Sequence, residues 1–175
     1  MNNKLFENAK LAGADLSIFH APDRKWKNYY YEDEEQDLLF LVPSYLFYGL
    51  IVVNLSWARK AKFTTKDGAI HMFKDYAWNM SSAKRKTSYP KTAVTDRSAN
   101  CGRSTVLLDL LVLNRLFQES GETESRYAVN HINGNKLDCR AINLSYGILK
   151  ENNNTKYSTH NIPEIKYPCK IWWEN

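Results

Sequence analysis

The segment VNHINGNKLDCRAINL, residues 129–144, concentrates side chains that could take part in chemistry. It holds one histidine, His131, followed closely by an Asn133-Gly134 pair. A histidine gains or loses its proton near neutral pH, so His131 could act as a general base that activates water. The segment is therefore a candidate for the centre of the protein's chemistry as well as a polar turn.

Two strands and a helix are expected to position this histidine. The stretch SRYAVNHING predicts a strand that runs into a turn, because an Asn-Gly pair favours the positive φ angles of a tight hairpin. The following AINLSYG predicts the second arm of that hairpin. ILKENNNTKY, from Ile148 to Tyr157, predicts a short helix that faces back onto the second arm.

Short strands and one further helix are expected upstream of these arms. KFTT and AIHMF, joined by a turn at residues 66–68, predict a hairpin, and SYPKTAVTD predicts another strand. From Ser104 to Ser120 the apolar residues follow helical spacing, although the first of them could form a strand. Together these elements place the chain in the α+β class.

The segment, together with the LKENNN that follows it, resembles the motif of the HNH endonucleases, in particular their phage-borne and homing-type members. The positions that match this motif are His131, Gly134, Asn135, Leu137, Asp138, Arg140, Asn143, Leu144 and Asn152. The resemblance covers residues 61–157 and is weaker in its upstream part. It implies a ββα-metal domain and a metal-dependent endonuclease that nicks or cleaves duplex DNA.

The residue types fit phosphodiester hydrolysis, which needs a base, a cation and a scaffold that aligns them. We expect His131 to be the base, and Asn143 to hydrogen-bond either the imidazole or the turn backbone. The amide oxygens of Asn130 and Asn152 are expected to bind the metal. A few oxygen ligands suit Mg²⁺ first and Mn²⁺ next, and the resemblance implies the same single-metal site.

Three positions depart from the family pattern. Asn130 stands where the family commonly has Asp, Cys139 where it has Asn, and Asn114 where it has His beside the retained Arg115. A neutral residue at position 130 should weaken metal binding. The alternative is therefore a catalytically weakened HNH relative that acts as a phage factor by binding DNA or another protein.

Positive charge is concentrated in the middle of the chain. The whole chain carries a formal charge of +5, but Ser56 to Arg103 contains eleven basic and three acidic residues. Such a stretch predicts a surface that follows the phosphates of double-stranded DNA, although a solvated basic surface is the alternative. The residues expected to contact DNA are Lys84, Arg85, Lys86, Lys91, Arg97, Arg103, Arg115 and Arg140.

The extent of the resemblance divides the chain into three parts. Residues 1–60 predict an N-terminal extension of unassigned role, which could contact a protein partner. Residues 61–157 predict the nuclease domain, and residues 158–175 a C-terminal tail that packs on it.

Cysteine usage predicts a reducing compartment. The three cysteines are far apart and form no CxxC pair, so we expect neither disulfides nor a zinc site, and a cytoplasmic location, in a host cell if phage-encoded. The uncharged stretch from Leu38 to Leu55 is at the lower limit for a membrane span and is interrupted by Pro43 and Gly49. We expect it to form two buried elements, with a membrane-associated protein as the alternative.

Overall fold

The computed structural model combines short helices with small antiparallel sheets, which confirms the α+β class. It describes residues 3–11, 13–43, 49–80, 89–114, 116, 127–148 and 161–170. The helices are α1 (Asn3–Leu11), α2 (Leu55–Lys60) and α3 (Leu108–Val112). The strands are β1 (Tyr29–Asp33), β2 (Leu38–Val42), β3 (Ile51–Asn54), β4 (Lys62–Thr64), β5 (Ile70–Met72), β6 (Asn79–Met80), β7 (Pro90–Thr95), β8 (Arg103–Leu107), β9 (Tyr127–His131) and β10 (Leu144–Ile148).

The first sheet contains β1, β2 and β3 in that order, all antiparallel, and its middle strand is buried on both faces. Side chains alternate between the two faces of a strand. Leu39 and Leu41 therefore enter one hydrophobic cluster, while Leu38, Phe40 and Val42 enter a second one on the opposite face. The expectation of two buried elements in this apolar stretch is confirmed by β2 and β3. Within the described ranges, no helix is long and apolar enough to cross a membrane.

The two clusters join parts of the chain that the sequence suggested were separate. The first cluster contains residues from both sides of residue 60, among them Leu39, Ile51, Phe63, Trp78 and Leu137. The second cluster combines α1 with the first sheet, and Ile165, Tyr167 and Cys169 of the C-terminal segment pack against it. The hydrophobic core thus continues across the boundary predicted at residue 60.

A two-stranded hairpin and a three-stranded sheet form the middle of the chain. β4 pairs with β5 around a turn in which Gly68 has a φ of 85°, which confirms the predicted hairpin at residues 66–68. The strand predicted in SYPKTAVTD is β7, which pairs with β6 on one side and β8 on the other. The stretch from Ser104, predicted as a helix that could begin as a strand, does begin as a strand: β8 leads directly into α3. Val106 of β8 is buried in the core.

A hydrogen-bond network fastens the turn of the first hairpin to the turn after β7. The carboxylate of Asp67 accepts the Thr65 hydroxyl, and its other oxygen accepts the backbone N–H of Arg97 at 2.8 Å. Buried His71 lies between the Thr65 hydroxyl, 3.1 Å from Nε2, and the Tyr76 hydroxyl, 2.6 Å from Nδ1. The hydrogen bond from Thr65, followed by those from the backbone, lowers the pKa of Asp67 to about 2.

Acid should therefore weaken the fold through Asp67. The pKa of Asp67 is lower in the folded state than in the unfolded chain, where it is about 3.9, so ionised Asp67 stabilises the folded state at pH values above about 3.9. This stabilisation is lost as the pH falls through the folded-state pKa of about 2. We expect the free energy of unfolding, measured by urea denaturation, to fall less between pH 5 and pH 2 in Asp67→Asn than in the wild type. The exposed Glu35→Gln is the control. An equal fall in wild type and Asp67→Asn would contradict this role.

Candidate functional site

The two predicted arms are present as an antiparallel pair. β9 pairs with β10 so that His131, the last residue of β9, lies opposite Leu144, the first residue of β10. Gly134 has a φ of 77°, a value that glycine adopts without steric cost, and its N–H donates to the carbonyl of His131 at 2.8 Å. The chain therefore turns directly after the histidine. Ile148, predicted to begin the helix, is instead the last residue of β10, and residues 149–157 lie outside the described ranges.

Asn143 holds the turn through both ends of its buried side chain. Its Oδ1 accepts the backbone N–H of Asn133 at 2.9 Å, and its Nδ2 donates to the backbone carbonyl of Asp138 at 2.9 Å. Its own carbonyl accepts the N–H of Ile132 at 2.8 Å. Of the two partners expected for Asn143, the structure thus pairs it with the turn backbone. It precedes β10, in a 3₁₀ turn spanning Ala141–Asn143.

The carboxylate of Asp138 is fully buried and is held by three side-chain hydrogen bonds. Arg140 donates from Nε at 2.9 Å and from Nη2 at 2.7 Å, and Asn133 donates from Nδ2 at 2.7 Å. Two bonds from one guanidinium to one carboxylate form a strong, planar ion pair. The pair keeps the loop after the turn in a single conformation.

Arg140 was expected to contact DNA, and the structure places its guanidinium inside the fold, paired with Asp138. The residue is only 5% exposed, its charge is paired with Asp138, and its Nη1 donates to the carbonyl of Pro163 at 2.8 Å. The Arg140–Asp138 pair carries no net charge, so it adds little attraction for a phosphate. Arg140 therefore belongs to the scaffold of the loop.

Strand β3 holds the same loop from the other side. The N–H of Val52 donates to the carbonyl of Leu137 at 2.9 Å, and the carbonyl of Val52 accepts the N–H of Cys139 at 2.8 Å. The side chain of Asn54 accepts the N–H of Ala141 at 3.1 Å. Residues from the predicted N-terminal extension thus hold the loop that carries Asp138. Burial, followed by the nearby carboxylates, raises the pKa of the Cys139 thiol, which is packed inside as an uncharged group.

His131 is 7% exposed, and both of its ring nitrogens lie beside oxygen atoms. Nδ1 lies 3.2 Å from the carbonyl oxygen of Asp138, and Nε2 lies 3.2 Å from Oδ2 of Asp109. A carbonyl can only accept, so Nδ1 is assigned as the donor. The Asp138 carbonyl therefore accepts from both His131 and Asn143, and it sets the orientation of the imidazole.

Asp109 is the residue at this site that the sequence motif did not indicate. It lies in α3, twenty-two residues before His131 in the chain, and its side chain is buried. The signal in the sequence is a single charged residue within the apolar run VLLDLLVL, from Val106 to Leu113. Because an unpaired carboxylate is rarely buried, such a residue predicts a partner elsewhere in the fold.

Tyr89 covers the histidine. The ring centroids of Tyr89 and His131 are 5.9 Å apart at 36°, and Lys136 Nζ lies 5.1 Å from the centroid of the Tyr89 ring. Burial, with a smaller effect of the Asp109 charge, raises the pKa of Tyr89, so its hydroxyl stays protonated at neutral pH. The aromatic ring and the lysine thus form one wall over the imidazole.

The predicted metal ligands do not all meet at this site. Asn130 lies opposite Ser145 in the β9–β10 register, and as the neighbour of His131 along the strand it points to the opposite face. Asn152 lies outside the described residues. Across the described ranges, no group of three His, Cys, Asp or Glu side chains could enclose a metal. The carboxylate beside His131 is that of Asp109, whose Oδ2 lies 3.2 Å from Nε2.

Two of the predicted DNA contacts lie on one outer face of the β6–β7–β8 sheet. Lys91 pairs with Leu107, Thr95 pairs with Arg103, and both cations are on the strand face opposite to buried Val94. With a rise of about 3.3 Å per residue, the two ends of this face are about 13 Å apart. Arg103 is exposed and Lys91 is half-buried.

The remaining predicted DNA contacts divide into two groups. Arg97 is exposed in the turn between β7 and β8, where its backbone N–H donates to Asp67. The other residues, Lys84, Arg85, Lys86 and Arg115, lie outside the described residues.

Comparisons with protein-family models, curated proteins and solved structures found no match to this chain.

Removing the charge of Asp138 should destabilise the whole loop. Asp138→Asn leaves the Arg140 guanidinium buried without its counter-ion, and breaking a buried pair in this way costs about 3–5 kcal/mol. We expect a loss of that size in the free energy of unfolding measured by urea denaturation. Glu164→Gln removes a charge from an exposed neighbour of Pro163 and should change it by about 0.5 kcal/mol or less. A loss below about 1 kcal/mol in Asp138→Asn would contradict the role of the ion pair.

Proposed function

We propose that this protein is a metal-dependent DNA endonuclease of the HNH type, with His131 as the base. The observation that supports the proposal is the shared acceptor, the Asp138 carbonyl, which receives hydrogen bonds from His131 Nδ1 and from Asn143 Nδ2. It ties the orientation of the imidazole to the geometry of the turn. A histidine fixed in this way through one nitrogen is suited to proton transfer through the other.

The tautomer determines which nitrogen could act as the base. Because Nδ1 carries the hydrogen that is donated to Asp138, the lone pair of a neutral His131 lies on Nε2. Nε2 would then take the proton from the water that attacks the phosphorus atom. In the structure this nitrogen lies 3.2 Å from Oδ2 of Asp109, a hydrogen bond that needs a proton on Nε2 or on the carboxylate. His131 could therefore act as the base only after that proton has left and the carboxylate has moved away.

A divalent cation, bound in this proposal with the help of Asn130 and Asn152, would neutralise the charge that develops on the phosphate and the leaving oxygen. The protein's own contribution is to orient the base and to keep the turn rigid through Asn143 and the Asp138–Arg140 pair. The outer face of the β6–β7–β8 sheet would hold the DNA backbone through Lys91 and Arg103.

A second candidate is a relative of such nucleases that binds DNA without cutting it. The observation that favours it is the burial of His131 with both nitrogens beside acceptor atoms, an arrangement that also suits a purely structural histidine. The neutral Asn130 on the opposite face favours the same candidate, since it supplies no carboxylate to a metal. Cleavage and binding assays separate the two candidates.

Metal-dependent cleavage of supercoiled plasmid should depend on His131. Base assistance contributes about 10²- to 10⁴-fold in rate, so His131→Ala should slow nicking in Mg²⁺ or Mn²⁺ by about that factor while leaving DNA affinity unchanged. His20→Ala removes an exposed histidine from another part of the fold and should cleave at the wild-type rate. Binding without cleavage in either metal would reject the nuclease in favour of the second candidate.

DNA affinity should depend on salt and on the outer sheet face. Each phosphate contact contributes about 0.9 to the slope of log affinity against log salt concentration. We therefore expect Lys91→Gln and Arg103→Gln each to lower that slope by about 1 in fluorescence-anisotropy titrations. Lys10→Gln, which alters an exposed lysine of α1, is the matched control. An unchanged slope in both sheet variants would show that this face does not contact the backbone.

A further inference from the structure

Two turns in the middle of the chain bring exposed cations to the same part of the surface. Asp67 lies in the turn between β4 and β5, and its Oδ2 accepts the backbone N–H of Arg97, in the turn between β7 and β8, at 2.8 Å. Lys66 directly precedes Asp67 in the first turn. Both Lys66 and Arg97 are exposed. The hydrogen bond from Arg97 to Asp67 therefore holds together two turns that each carry an exposed cation.

The second turn is followed by a third exposed cation. The N–H of Asp96 donates to the carbonyl of Gly102 at 2.9 Å, and this bond closes the turn. Arg97 directly follows the first of these two residues, and Arg103 directly follows the second. Arg103 is exposed and begins β8. We call Lys66, Arg97 and Arg103 the two-turn patch.

The carboxylates of the same turns are engaged by neutral donors. Asp67 accepts one hydroxyl and two backbone N–H groups, and Asp96 accepts two hydroxyls and one backbone N–H. Asp96 is 1% exposed, so its charge lies beneath the surface. Among the described residues, neither carboxylate forms an ion pair with a lysine or an arginine. The carboxylates thus stabilise the turns without neutralising the cations.

Other cations of the fold have carboxylate partners. Lys25 and Arg59 pair with Glu32, and Arg140 pairs with Asp138. The cations of the two-turn patch form no ion pair with any residue that the structure describes. Their charge can therefore attract an anion outside the chain.

We propose that the two-turn patch binds the phosphate backbone of duplex DNA and that Asp67 positions its cations. Double-stranded DNA carries one negative charge per about 1.7 Å of its axis, so several neighbouring cations can contact phosphates at once. The patch continues the outer face of the β6–β7–β8 sheet, since Arg103 belongs to both. The proposal rests on the DNA binding in the proposed function and is independent of cleavage.

The two effects that Asp67 could have on DNA affinity are opposite in sign. A negative charge near the phosphates would repel them, so its removal in Asp67→Asn would tighten binding. A residue that positions Arg97 would, when changed, release the turn and weaken binding. We expect Asp67→Asn to raise the Kd for a short DNA duplex severalfold, as measured by fluorescence anisotropy in EDTA, where no metal supports cleavage. Asp75→Asn, which removes another exposed carboxylate from the basic middle of the chain, is the matched control and should not weaken binding.

Salt titrations test the cations directly. Lys66→Gln and Arg97→Gln should each lower the slope of log affinity against log salt concentration by about 1. Arg24→Gln, which alters an exposed arginine outside the patch, should leave the slope unchanged. In the Asp67→Asn background, Arg97→Gln should weaken binding less than it does in the wild type, because the two residues act together.

Two results would overturn the proposal. One is an unchanged salt slope in both Lys66→Gln and Arg97→Gln, which are surface variants that do not alter the core. The other is tighter binding by an Asp67→Asn variant whose circular dichroism spectrum is that of the folded protein.

Failure of this proposal is distinguishable from failure of the proposed nuclease. DNA affinity that depends on the two-turn patch, together with no plasmid cleavage in either metal, supports the patch and rejects the nuclease. Plasmid cleavage together with DNA affinity that is independent of Lys66, Arg97 and Asp67 supports the nuclease and rejects the patch.

Discussion

The buried ion pair between Asp138 and Arg140 is the constraint on which the site depends. A carboxylate without solvent is stable only with a full set of donors, and Arg140 and Asn133 provide them. The bonds fix the loop, and the loop presents the Asp138 carbonyl to His131 and Asn143. The position of the imidazole thus follows from the charge compensation of a residue seven positions later in the chain.

Two other regions of the fold form hydrogen bonds with that loop. β3 supplies backbone hydrogen bonds through Val52 and a side-chain acceptor through Asn54, and the C-terminal segment supplies the Pro163 carbonyl to Arg140. Both regions belong to the hydrophobic core, because β2 places apolar residues on both of its faces. The geometry of the site therefore depends on contacts with β3 and with the C-terminal segment, both distant from it in sequence.

His131 lies between two carboxylate-bearing residues that act on it differently. Asp138 contacts it through a backbone carbonyl, which orients the ring without placing a charge beside it. Asp109 contacts it through its carboxylate, at the nitrogen that hydrolysis would need.

The sequence by itself determined the local elements and the turn. The apolar stretch from Leu38 to Leu55 predicts two buried elements, and Asn133-Gly134 predicts the bend between β9 and β10. Asn143 is predicted to hydrogen-bond either the imidazole or the backbone of that turn. These features depend on neighbours along the chain, so a local pattern is enough to find them. Only the tertiary structure decided that Arg140 neutralises Asp138 inside the fold and that Asp109 meets His131. Both facts depend on charges being buried next to each other, and burial is a property of how distant segments pack.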